Sequence, residues 1–62
     1  MNWFVSIRLY DNTVLTEKYA TQEERDEDYA CVTNCVDESD LFQFAGRDVN
    51  PRYVVEVKKG LF

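Results

Sequence analysis

Sixty-two residues with seven basic and twelve acidic side chains, no histidine and a net charge of −5 describe one small acidic domain spanning residues 1–62. At 45% hydrophobic and 15% aromatic, the chain is too rich in packing residues for a disordered tail. At this length a domain buries only about 60% of its unfolded surface, which excludes a large core or a deep cleft.

Residues 2–10, Asn-Trp-Phe-Val-Ser-Ile-Arg-Leu-Tyr, alternate with the period of a half-buried strand: Trp3, Val5, Ile7 and Leu9 on one side, Phe4, Ser6, Arg8 and Tyr10 on the other. Asp11-Asn12 follows, a pair that tolerates positive φ and predicts a tight turn. Thr13 to Tyr19 is the return strand. A two-residue loop pairs Leu9 with Val14 and Ile7 with Thr16 inside and leaves Phe4 opposite Tyr19 outside; a three-residue loop shifts the register and inverts the second strand.

Thr21-Gln-Glu-Glu24 is a capping box, and the helix it opens is expected to run to about Val36. Its apolar stripe is narrow: Tyr29, Val32 and Val36, flanked by Cys35 and continued towards the N-terminus by the stem of Arg25. Glu23, Glu27, Ala30 and Asn34 occupy the solvated side. Asp37-Glu-Ser-Asp40 ends the helix without a glycine cap. Leu41–Ala45 reads as a short strand with Phe42 and Phe44 on one face, and Gly46 to Pro51 as a reversal in which Pro51 forces Asn50 out of the helical region. Arg52–Lys59 is the last strand, with Tyr53, Val55 and Val57 opposite Val54, Glu56 and Lys58, followed by the apolar tail Gly60-Leu61-Phe62. The order is β-β-α-β-β, and the expected class is α+β: a four-stranded antiparallel sheet with one helix packed on one face.

The acids are segregated. Residues 21–40 hold Glu23, Glu24, Asp26, Glu27, Asp28, Asp37, Glu38 and Asp40 against Arg25 alone and carry −7, while residues 1–20 are neutral and residues 41–62 carry +2. Such a field steers a basic partner and repels a phosphate backbone, so no direct contact with nucleic acid is expected, despite Arg47, Arg52, Lys58 and Lys59 near Tyr53. Cys31 and Cys35 lie four apart within a helix, where their Cβ atoms are too distant for a disulfide and an acidic turn disfavours thiolate. With no histidine, zinc would need both cysteines and carboxylates; Glu23 to Asp28 lacks the glycine and spacing of a calcium loop. The carboxylates sit on an exposed helix rather than in a cleft, so no catalytic residue, metal or cofactor is assigned and the chain is not expected to be an enzyme. An apolar start broken by Ser6 and Arg8 fits neither a signal peptide nor a membrane span, and two reduced thiols suit the cytoplasm.

The expected function is binding of another protein with a basic surface, through Glu23, Glu27, Asp28, Asp37, Glu38 and Asp40 and the outward aromatics Phe4, Tyr10 and Tyr19. A compact acidic surface can imitate the phosphate array of a nucleic acid and occupy a nucleic-acid-binding cleft, and in size, acidity, aromatic content and lack of catalytic groups the chain resembles in kind the small inhibitors that bacteriophages and mobile elements direct at host enzymes. The alternative is a small structural or regulatory subunit whose acids only keep it in solution. One helix covers one sheet face, whereas Phe4, Tyr10, Leu15, Tyr19 and Val54 are read as facing outward, so a symmetric homodimer through the outer face or a sheet edge is also expected.

Overall fold

The structure, a computed structural model, describes residues 2–62. Strand β1 (Trp3–Leu9) lies between β2 (Val14–Tyr19) and β5 (Val54–Leu61) in a three-stranded antiparallel sheet. Helix α1 (Gln22–Asp37) covers one face, and β3 (Phe42–Phe44) with β4 (Arg47–Val49) makes a separate two-stranded hairpin. A 3-10 turn over Pro51–Tyr53 leads into β5. The class is therefore α+β with antiparallel sheets, but the expected four-stranded sheet is replaced by three strands plus a hairpin.

The hairpin arises because Ala45 and Gly46 both adopt positive φ, 51° and 78°, the conformation of a two-residue type I′ connection. Phe42–Phe44 thus folds back on Arg47–Val49, and residues expected to form a long reversal supply a strand. Phe44 and Val49 reach the core. Asn50 is extended at φ −90° and ψ 121°, its side chain accepts the Arg52 amide at 3.0 Å, and Pro51 starts the 3-10 turn, where its missing N–H costs nothing. The last strand consequently begins later than expected and takes in Gly60 and Leu61, which pair with Phe4 and Trp3.

The first hairpin uses the three-residue loop Tyr10-Asp11-Asn12. Only Asn12 is left-handed, at φ 70°; the Leu9 amide donates to the Thr13 carbonyl at 2.8 Å, and the Thr13 amide donates to the Asp11 carboxylate at 3.0 Å. The bonds from Thr13 hold the Asp11 carboxyl below its ordinary range. Arg8 therefore faces Val14, Ile7 faces Leu15 and Trp3 faces Tyr19. This register corrects the two-residue one: Leu15 and Tyr19 turn in, while Val14, Thr16 and Lys18 turn out. It exchanges Val and Thr on the helix side for the larger Leu and Tyr, which favours it by burial alone. A second correction comes from a bulge where β1 passes Arg8 to Leu9: Arg8 faces Glu56 and Leu9 faces Val54, leaving Val55 as the extra residue, 55% exposed. Val54, expected outside, packs against the core instead.

The core consists of Val5, Ile7, Leu9, Val32, Phe44 and Val49, ringed by Leu15, Tyr19, Tyr29, Phe42, Val54 and Val57. Helix α1 contributes only Val32 and, unusually, Arg25 as buried residues. The Arg25 guanidinium lies 4.7 Å from the centre of the Trp3 ring; its Nη1 donates to the Gly60 carbonyl at 3.1 Å, and its Nε and Nη2 donate to Asp26. A cation that was expected to lay its stem over the sheet edge is thus itself part of the packing between helix and sheet.

Candidate functional site

The acidic surface is built by α1 and the residues just after it. Thr21 Oγ1 accepts the Glu24 amide at 3.2 Å, so the hydroxyl half of the capping box is made and the helix phase is set from its first turn. With Val32 and Arg25 against the sheet, Glu23, Glu27, Ala30, Asn34 and Asp37 fall on one exposed line along the opposite side. The helix closes with a Schellman arrangement: Ser39 is left-handed at φ 58°, the Ser39 amide donates to the Val36 carbonyl at 3.2 Å, and the Asp40 amide donates to the Cys35 carbonyl at 2.8 Å. Serine takes the place that glycine usually holds, which is why the end lacked the usual sequence signal. The cap turns Glu38 and Asp40 into solvent beside Asp37.

Five of the six predicted acids, Glu23, Glu27, Asp37, Glu38 and Asp40, are exposed. Among the described residues, the ion pairs use other carboxylates: Glu56 with Arg8 (3.9 Å) and Lys58 (3.5 Å), and Asp26 with Arg25 (2.9 Å) and Lys59 (3.4 Å). Arg25 first, then Lys59, holds the Asp26 carboxyl below its ordinary range. Asp37 and Glu38 stand at the negative end of the helix dipole with no basic residue in the last turn. That placement is unfavourable for an isolated domain, by about 0.3–1 kcal/mol per exposed charge at low salt.

Asp28 is different. It is half-buried, and its Oδ2 accepts a hydrogen bond from the Tyr19 hydroxyl, clamping α1 to β2. Burial, then the bond to Asp28, pushes the Tyr19 phenol well above its ordinary range. Tyr19 is therefore an inward residue and not one of the outward aromatics. Phe4 does lie on the open face, its ring over Gly60 and 5.0 Å from the Phe62 ring, with Lys18 Nζ 5.4 Å above Phe62. Tyr10 packs on Tyr53 at 4.9 Å beyond the other end of β1. The three predicted aromatics thus fall in three separate places and do not form one surface.

The open sheet face bears Arg8, Lys18 and Lys58 with Glu56 as its acid, so the molecule is polarised through its thickness as well as along its sequence. Tyr53, weighed from the sequence only beside the basic residues, is exposed, and so is Phe62, read only as part of an apolar tail; Phe62 becomes visible only once the β1–β5 register places it beside Asn2. Cys31 is exposed and Cys35 half-buried, both as free thiols. Burial first, and then the neighbouring Cys31, pushes the Cys35 thiol up and suppresses its thiolate. Among the described residues no pocket forms, no group of three or more potential ligands converges on a metal position, and no helix is long and apolar enough to cross a membrane. No protein-family model, curated protein or solved structure matches the chain.

Proposed function

We propose that the protein is a small binding module that docks the outer side of α1 on a basic surface of another protein, with a nucleic-acid-binding cleft as the fitting target and inhibition as the consequence. The observation that carries this reading is the set of five exposed carboxylates, Glu23, Glu27, Asp37, Glu38 and Asp40, which make no ion pair among the described residues while other acids are paired. Three of them cluster at the helix end where the dipole disfavours them. Charges that cost stability in the free domain gain when a basic partner neutralises them. Asp28 and Tyr19 belong to the scaffold of this surface, holding the helix in place.

A cytoplasmic partner captured with the wild-type protein, then purified, provides the test. Glu23→Lys with Glu27→Lys should slow association about tenfold at low salt and flatten its salt dependence, because exposed charges act mainly on the on-rate. Short duplex DNA should compete with the protein for the partner if the cleft is the target. An affinity indifferent to both reversals and to ionic strength would leave the acids with a solvating role only.

A further inference from the structure

We infer that the free edge of β5 is a pairing surface for a second copy of this chain, forming a continuous six-stranded antiparallel sheet across a two-fold axis at Val57. The proposal is independent of the acidic-helix reading.

Four observations converge on this edge. First, β5 is the longest strand, eight residues, and it pairs on one side only, with β1. Second, of the seven large apolar side chains exposed among the described residues, Val55 and Leu61 lie in β5 itself, and Tyr53 and Phe62, each stacked on another ring, flank its two ends. Third, the expected outer-face patch is much reduced: Leu15, Tyr19 and Val54 pack inward, which leaves Phe4 with Phe62 at one end of that face and Val14 and Tyr10 at the other rather than a continuous apolar surface.

The fourth observation is charge register. Antiparallel pairing of two identical edges requires a two-fold axis normal to the sheet, so paired residues share a face. In β5, Glu56 and Lys58 both lie on the open face, opposite Arg8 and Ser6 of β1. Centring the axis on Val57 sets Glu56 of each copy opposite Lys58 of the other, twice per dimer. Moving the centre one residue either way sets Glu56 opposite Glu56 or Lys58 opposite Lys58. One register is attractive and its neighbours are repulsive, which is how a strand edge specifies a partner. The other free edge offers no such solution. In β2, Glu17 faces the helix side and Lys18 the open side, so no two-fold pairing brings them together. The same axis leaves both helices on one side of the joined sheet, doubling the acidic surface.

Light scattering coupled to size exclusion, from about 1 to 500 µM, should give twice the 7.3 kDa chain mass at the upper end. Glu56→Lys and Lys58→Glu should each weaken the dimer about tenfold or more, and the double exchange should restore it to within about threefold of wild type. Hydrogen exchange on the unaltered protein is the second measurement: outward β5 amides should lose protection on dilution below the dissociation constant, while those of β2 do not change. A monomer mass throughout, a double exchange that does not restore the dimer, or dilution-sensitive protection on β2 would each overturn the proposal.

Discussion

Arg25 is the residue whose removal tests the packing between helix and sheet most directly. It is 8% exposed, and its guanidinium makes two contacts that no shorter side chain can reproduce: the face of Trp3 at 4.7 Å and the Gly60 carbonyl at 3.1 Å. A partly desolvated cation–π contact contributes about 1–2 kcal/mol. A hydrogen bond from a charged donor contributes about 1.5–3 kcal/mol, taken near its lower end because water can reach a carbonyl on a half-buried strand residue. Helix propensity returns a few tenths of a kcal/mol to alanine, and the bond to the solvent-open Asp26 is left uncounted. Arg25→Ala should therefore cost about 3 kcal/mol, a large share of the ~3–9 kcal/mol available to a domain of this length. Arg25→Lys should fall between, because lysine keeps the charge over Trp3 but loses the fork that serves Gly60 and Asp26 together. Urea unfolding at fixed protein concentration reads both, with Arg52→Ala on the exposed 3-10 turn as a control within about 0.5 kcal/mol. If Arg25→Ala stays within about 1 kcal/mol of wild type, or lysine substitutes without loss, then Arg25 is not what holds the helix to the sheet.

Two further outcomes follow from other contacts. Tyr19→Phe should cost about 1 kcal/mol at neutral pH by removing the bond to Asp28. Because the folded phenol is raised above its ordinary value of about 10, the stability it supplies is complete below that pH and is lost as pH rises beyond it; the wild type should lose more stability than the phenylalanine variant between pH 10 and 12, and equal losses would refute this. Gly60→Ala should cost no more than about 1 kcal/mol, because its Cβ would stand 2.7 Å from two carbons at the tip of the Phe4 ring, which must swing away across the open face, while alanine regains about 0.5–1 kcal/mol within a strand; combining it with Phe4→Leu should relieve the clash in a double-mutant cycle, and strict additivity would show the two residues to be uncoupled.

The sequence by itself determined the elements whose signals are local. The alternation of Trp3 to Leu9 set β1 and its inward face, Thr21 with Glu24 set the start of α1, and the spacing of Arg25, Tyr29, Val32 and Val36 set which side of the helix is buried and hence which acids are exposed. These depend on periodicity and on bonds between residues three or four apart, so neighbours in the chain suffice to specify them. Tertiary structure decided what turned on a single residue's φ or on a distant partner. Asn12, left-handed by itself, lengthened the first loop by one residue and sent Leu15 and Tyr19 to the core in place of Val14 and Thr16. Ala45 and Gly46 together turned the Phe42 strand back on Arg47–Val49 and out of the sheet, which leaves β5 paired with β1 alone. Tyr19 could meet Asp28, and Glu56 could share a free edge with Lys58, only after those registers were settled. A strand's period of two makes every such decision all or nothing: one residue of slip moves a whole row of side chains to the other face, and only the energy of the completed core selects between the two.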